Sequence, residues 1–283
     1  MMRHLSLFSG IGGMDLASEV AGFPTVAFVE RDAFCRRVLA AHWPGVPCYD
    51  DIHSVTAERL RDDGIGPIDI VSGGFPCQPF SVAGRRAGTG DDRHLWPQML
   101  RIVGECRPRW VVGENVSGLR SIDDGRVFGA IVADLAGIGY RVGWTSLRAS
   151  DVGAPHRRER VFIVGHLADT AGARRGSARY AESGDTSGSG AWDHIARDDA
   201  RRTAGPTQPG VCRATHGIPR RLVEHPRWPA RPGNDQAPWE APRTVTERIP
   251  ERAAKLRALG NACIPAQCLP IFQAIADAER SLV

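Results

Sequence analysis

The sequence predicts an α/β fold, a doubly wound and mostly parallel sheet carrying a small loop-rich lobe. Short apolar, β-branched runs alternate with longer segments of helical spacing as far as residue 167. Glycines punctuate the junctions between them, and the alternation stops near Leu167 and returns only at Arg252. Strand–helix alternation of this kind sets neighbouring strands parallel and places helices on both faces.

Each element has its own reason. His4–Phe8 is a short apolar run followed by a glycine turn and an apolar helix over Gly13–Ala21. Thr25–Glu30 reads as a second strand because it is β-branched and apolar, and Asp32–His42 follows as a helix. Ile68–Ser72 and Trp110–Gly113 are buried-strand runs. Between them Leu95, Met99, Ile102 and Val103 give Leu95–Cys106 helical spacing. Phe128, Ile131, Val132 and Leu135 repeat the i, i+3, i+4, i+7 pattern until Gly137 and Gly139 stop the helix. Arg141–Leu147 and Val161–Gly165 are close enough in sequence to pair as a hairpin. From Ala168 to about Glu240 the chain is rich in Gly, Arg, Ser, Thr, Pro and Asp, with Trp192, Trp228 and Trp239 as isolated anchors. Ala266–Ala278 reads as a closing amphipathic helix. The expected organisation is a main domain over 1–167, an irregular lobe over 168–250, and a segment over 251–283 that returns to the main domain.

The 283 residues suffice for one large domain, or for one domain plus a small lobe. Apolar content of 42% is ordinary for a globular protein. No run approaches the roughly 20 apolar residues that cross a bilayer, and the N-terminus lacks a signal peptide's layout, so a cytoplasmic protein is expected. The seven cysteines are odd in number and scattered, with no CxxC pair. Neither a zinc ribbon nor a disulfide framework is expected, and no metal is called for. Lys255 is the single lysine in a chain of net charge +4. Such a balance permits a polyanionic partner without demonstrating one, although arginine's planar fork suits phosphate and guanine.

The chemistry concentrates in a few segments. Gly73-Gly74-Phe75-Pro76-Cys77-Gln78-Pro79-Phe80-Ser81 sets one thiol between two prolines at the end of a strand run. The prolines fix the backbone and the glycines allow close approach. Taken alone, these residues leave Cys77 open between a nucleophile and a space-filling thiol. Phe8-Ser9-Gly10-Ile11-Gly12-Gly13 joins the first strand to the first helix, where free amides favour an anionic group. Glu30 ends the second strand, where nucleotide-binding folds place an acid against ribose hydroxyls; with Asp51 and Ile52 it suggests a nucleoside cofactor. Glu114-Asn115-Val116 closes Trp110–Gly113. In a doubly wound sheet strand C-termini converge, so Glu114 can face Cys77. His156-Arg157-Arg158-Glu159-Arg160 precedes a further strand and would set guanidinium groups at the crevice rim, or else form a solvated face. Gly260-Asn261-Ala262 reads as a turn and helix start.

Taken in order, Phe8–Gly13, Glu30, Asp51-Ile52, Pro76-Cys77-Gln78, Glu114-Asn115-Val116, Arg158-Glu159-Arg160 and Leu259-Gly260-Asn261 resemble the motifs of the cytosine-C5 DNA methyltransferases. The resemblance covers roughly residues 3–167 and 252–280. It implies a Rossmann-like methyltransferase fold, S-adenosylmethionine as cofactor and double-stranded DNA as substrate. Residues 168–250 would then form the target-recognition lobe. It also implies a bacterial or phage-encoded enzyme at the nucleoid, in a restriction–modification system with a cognate restriction endonuclease, in a phage, or on a mobile element. Cys77 would attack C6 of a cytosine flipped out of the duplex. Glu114 would contact N3 and the exocyclic amine, Arg160 the O2 and Arg158 the nearby backbone, and C5 would take the methyl group. Ser81 to about Arg93 would be the loop that closes over the flipped nucleotide. Phe8, Gly10, Gly12, Gly13, Glu30, Asp51, Ile52 and Asn261 would hold the cofactor. The chain departs from the family's pattern at His156, where Gln is usual, and at Ala262, where Ser is usual. The Arg-rich block that normally ends the recognition region is reduced to Pro242-Arg243-Thr244. Two alternatives remain from the sequence, a tRNA cytosine-C5 methyltransferase on the same fold and a non-catalytic DNA-binding relative.

Overall fold

The computed structural model describes residues 1–76, 95–167, 228–230, 233–240 and 249–281. Cys77, the Ser81–Arg93 loop, Trp192 and Pro242–Thr244 lie outside the described residues. The first half winds β1 (His4–Leu7), α1 (Gly13–Val20), β2 (Thr25–Val29), α2 (Ala33–His42), β3 (Cys48–Tyr49), α3 (Ala57–Asp62) and β4 (Ile70–Gly73). There follow α4 (Trp96–Cys106), β5 (Trp110–Val116), α5 (Arg126–Gly137), β6 (Tyr140–Arg148) and β7 (Glu159–Leu167). Two helices follow near the C-terminus, here α6 (Arg252–Asn261) and α7 (Pro265–Arg280).

The seven strands form one sheet in the order β3-β2-β1-β4-β5-β7-β6. Strands β1 to β5 run parallel, and β7 enters antiparallel between β5 and β6. The hairpin expected from the sequence is the β6–β7 pair, with Tyr140 opposite Leu167 and Arg148 opposite Glu159.

Side-chain alternation divides the core into two layers. Leu5, Leu7, Val71, Val111 and Ile163 face α4 and α5, meeting Met99, Ile102, Ile131 and Leu135. Ile70, Trp110, Val112, Phe162 and Val164 face α1 and α7, meeting Met14, Ala17, Leu269, Phe272 and Ile275. The C-terminal helix thus completes the second layer. Local chemistry sets the helix starts: Asp32 caps α2 by accepting from the amides of Phe34 (2.8 Å) and Cys35 (3.2 Å). Pro265 opens α7, where its missing amide costs nothing. Residues 252–280 are apolar and long enough in composition to span a membrane, but Ala262 breaks the helix and the apolar side of α7 lies in the core.

Three boundaries differ from the sequence reading. Strand β5 does not stop at Gly113 but carries Glu114, Asn115 and Val116, because β7 supplies ladder partners down to Arg160 opposite Val116. For the same reason Glu159 and Arg160 lie inside β7 rather than ahead of it. Gly260 and Asn261 are the last turn of α6, and the break comes at Ala262 with ψ of 141°. The pattern missed the six-residue α3, too short to show a period, and left α6 without an assigned structure.

Candidate active site

The ends of β4 and β5 build the centre. Gly73 and Gly113 sit opposite each other, so Gly74 passes beside Glu114. A Cβ on Gly74 would stand 3.1 Å from Glu114 Oε2, and one on Gly113 would stand 3.2 Å from the Phe75 ring. At both positions a side chain would crowd its neighbour. The buried Asn115 donates from Nδ2 to the Phe75 carbonyl at 2.8 Å, tying the segment after β4 to the neighbouring strand. Pro76 is the last described residue before Cys77.

Glu114 is buried, 8% exposed, at the rim of the sheet. Its Oε1 accepts from Arg160 Nε at 2.7 Å, and Arg160 reaches it because the β5–β7 register brings the two strand ends together. Burial pushes the carboxyl above its ordinary range, while Arg160, a hydrogen bond from Cys263 and the charge of Arg158 pull it back. Arg158 faces the protein's own backbone, donating to the carbonyls of Gly260 (3.0 Å) and Ala262 (2.6 Å). It thereby closes the end of α6. Gln267 on α7 donates to the carbonyls of Leu147 (2.6 Å) and Arg158 (3.0 Å) and fixes the same corner.

The glycine turn lies on the other side. Phe8 and Gly10 adopt positive φ, 53° and 56°, which bends the chain sharply out of β1. A Cβ on Gly12 would fall 2.5 Å from the Trp43 ring and one on Gly13 2.2 Å from the Cys263 carbonyl oxygen. At Gly10 nothing among the described residues lies within 4 Å of that position, so the turn is open there. Glu30 holds the turn, accepting from the amides of Gly10 and Asp32, each at 2.7 Å. Each of its oxygens keeps a lone pair for a further donor. Asp51 accepts from the amide of His53 (3.0 Å) and from its ring (2.8 Å), bonds that lower its pKa. Ile52 is buried in the core, and Asn261 is exposed at the end of α6. A cavity of about 560 Å³ opens between the turn and the C-terminal segment, lined by Ile11, His156, Arg158, Ala262, Cys263 and Pro265 among others.

The structure therefore gathers Glu114, Arg160 and the approach to Cys77 at one place, and Gly10, Gly13 and Glu30 beside it. Asp51, Ile52 and Asn261 stand further out along the strand ends and α6. Sequence reasoning missed Cys263, whose lone thiol carries no spacing signal, and the tether made by Asn115. It also missed Trp228 as a link to the main domain, where the indole donates to the Val152 carbonyl at 3.0 Å.

A seven-stranded sheet of this order, with its one reversed strand second from the edge, is the fold of the Rossmann-like methyltransferases. Within that class the chain belongs to the C-5 cytosine-specific DNA methylase family, whose model matches residues 2–190. Among curated relatives it is 40% identical over 177 residues to the Type II methyltransferase M.AquIA of Picosynechococcus sp. This alignment covers 58% of this chain and 71% of the relative. It is 38% identical to M.DsaV of Dactylococcopsis salina and 37% identical to M.NgoBI of Neisseria gonorrhoeae. Those alignments also cover 58% of this chain, and 45% and 50% of the relatives, so the chain spans about half their length. A solved structure described as a DNA modification methyltransferase encoded within an E. coli prophage superposes with a TM-score of 0.51 at 29% identity. It covers 59% of this chain and 47% of the other. Spodoptera frugiperda DNMT2 superposes at 0.52 with 23% identity over 60% and 51% of the two chains, which bears on the fold alone.

Proposed function

We propose that the protein transfers a methyl group from S-adenosylmethionine to C5 of cytosine in DNA through a covalent Cys77–C6 adduct on a flipped base. The Glu114–Arg160 pair carries the reading. A nearly buried carboxyl held by one guanidinium, beside the strand end that runs into Pro76-Cys77, can recognise a cytosine edge and manage its proton. Arg160 fixes Oε1, leaving Oε2 toward Gly74 for the N3 edge of the base.

The chemistry then balances. The Cys77 thiolate adds its electron pair to C6 while N3 gains a proton from Glu114, and C5 becomes an enamine carbon able to take a methyl group. Loss of the C5 proton to a base, expulsion of the thiolate and return of the N3 proton to Glu114 restore the ring and the acid. Asn115 holds the Phe75 carbonyl and so orients the chain entering Cys77. We assign Arg158 to positioning, since both terminal nitrogens of its guanidinium donate to the backbone of Gly260 and Ala262.

The residues fit the cofactor. The turn is open at Gly10 and Glu30 keeps free lone pairs beside it, and a 560 Å³ cavity, within the usual range for small-molecule sites, is lined by Ile11 of the same turn. When bound, S-adenosylmethionine supplies the electrophilic methyl group. Gly10, Gly12, Gly13 and Glu30 would hold it, and Phe8, Asp51, Ile52 and Asn261 are assigned to the same cofactor. Residues 168–250 are assigned to target recognition, and a cognate restriction endonuclease would be the partner in a restriction–modification setting.

The test is methyl incorporation into duplex DNA and, in parallel, into tRNA, with wild type and Cys77→Ala. DNA labelling that Cys77→Ala abolishes, with a covalent complex on 5-fluorocytosine DNA, is expected. Equal labelling by both forms would overturn the mechanism. Labelling of tRNA alone would redirect the substrate, and DNA binding without labelling would leave a binding protein.

A further inference from the structure

The second oxygen of Glu114 has a neighbour that the proposed mechanism does not use. Cys263 lies in the break between α6 and α7, half-buried, and lines the cavity beside the glycine turn. Its carbonyl is the group that Gly13 makes room for. Its Sγ and Glu114 Oε2 converge on Gly74, standing 3.9 Å and 3.1 Å from where a Gly74 Cβ would be. Glu114 and the buried Cys268 on α7 are its neighbours, and both push the Cys263 thiol up.

We propose that Cys263 is a positioning residue for Glu114, its thiol donating to the oxygen that Arg160 leaves free and holding that oxygen over Gly74 where the base edge arrives. The inference rests on the reading of Glu114 as the cytosine-contacting acid. A thiol has one proton to give, and a carboxyl oxygen is a stronger acceptor than a second sulfur. The hydrogen bond with Cys268, burial and the negative charge of Glu114 all keep Cys263 protonated, so it is a donor at neutral pH. Arg160 from β7, Arg158 just ahead of that strand and Cys263 from the α6–α7 break are the charged and titratable groups that face Glu114 among the described residues, with Cys268 behind Cys263. Two donors on two oxygens stop the carboxyl from rotating, and a fixed orientation matters more to turnover than to substrate binding. The arrangement also couples the two halves of the site, because the residue that touches Glu114 packs its backbone on the glycine turn.

The experiment compares Cys263→Val, which keeps the volume and removes the donor, with Cys263→Ser, which keeps a donor. Two quantities are read, methyl transfer to DNA as a function of pH and the titration of Glu114 by carbon NMR of carboxyl-labelled glutamate, assigned with Glu114→Gln. Losing one hydrogen bond to a charged group is expected to lower kcat by about tenfold. KM for DNA stays near wild type, and the Glu114 midpoint moves to higher pH because a contact that favoured ionisation is gone. Cys263→Ser is expected to recover most of both. Unchanged kcat and midpoint in Cys263→Val would overturn the proposal. So would equal losses in Val and Ser with no change of midpoint, which would mark a packing role. The titration needs no turnover. A shifted midpoint in protein that transfers no methyl group would therefore sustain the positioning role and sink the functional reading instead.

Discussion

Single residues in this protein are constrained by what a neighbour's backbone occupies. Gly13 is the clearest case. An alanine methyl there would stand 2.2 Å from the Cys263 carbonyl oxygen, an atom that cannot swing aside as a side-chain tip could. Gly13→Ala is expected to cost about 1–3 kcal/mol of stability, the usual range for an overpacked site. It should also weaken S-adenosylmethionine binding, since the turn and the C-terminal segment would have to part. Urea denaturation and calorimetric titration check the two effects, and an alanine form with wild-type stability and affinity would contradict the contact. Gly10 is limited differently, by its φ of 56° rather than by space.

Between elements, polar side chains do the joining. Asn115 ties β5 to the segment after β4, and Asn115→Ala would leave the Phe75 carbonyl without that donor, a loss of about 1–3 kcal/mol for a buried group. Its kcat should fall more than its DNA affinity, as stopped-flow kinetics beside a binding assay would show. A second junction links β1, β2, β4 and α1. His4 is hydrogen-bonded through Nδ1 to Thr25 Oγ1 (2.8 Å) and through Nε2 to Ser72 Oγ (2.7 Å), and Thr25 donates to Asp15 (3.2 Å). Burial lowers His4 to about 3 and raises Asp15 to about 7. The folded pair thus carries one proton, on Asp15, between those values. The unfolded chain also carries one between 3.8 and 6.5, on the histidine, so the pair leaves stability flat there. Single replacements should unmask opposite slopes. In Asp15→Asn only His4 remains, and stability falls as pH drops from 6.5 toward 3. In His4→Gln only Asp15 remains, and stability falls as pH rises from 3.8 toward 7. Each slope approaches about 1.4 kcal/mol per pH unit, readable from urea midpoints. Two parallel, level profiles would contradict the shared proton. The sequence showed the elements better than these joints. Met99, Ile102 and Val103 announce α4 because a helix face repeats locally, and Ile68–Ser72 announces β4 because a strand buried on both faces is a continuous apolar run. The length of β5 was not legible, since it depends on a partner, β7, whose facing residues lie 44 to 56 positions further on, across α5 and β6. Cys77 and Glu114 were legible as motifs, whereas Cys263 beside Glu114 follows only from the packing of α7.

At the scale of the whole molecule, the last helix packs with the first, in the second layer of the core. Phe272 is fully buried, and its ring meets His4 at 5.8 Å in a T-shaped contact. Phe272→Ala should cost about 3–5 kcal/mol, a large fraction of a domain's stability. It should lower the thermal midpoint of the entire sheet in one transition, and a separate early transition of the C-terminal helices would contradict a single cooperative core. The meeting of Gly13 with Cys263 also has a bearing on time. Chains leave the ribosome at about 5–20 residues per second, so tens of seconds separate the synthesis of the glycine turn from that of the residue packed against it. Through that interval a nascent chain holds the first wall of its pocket without the second, and its Glu114 lacks the neighbour that completes it. The chain is competent only once its closing segment has emerged.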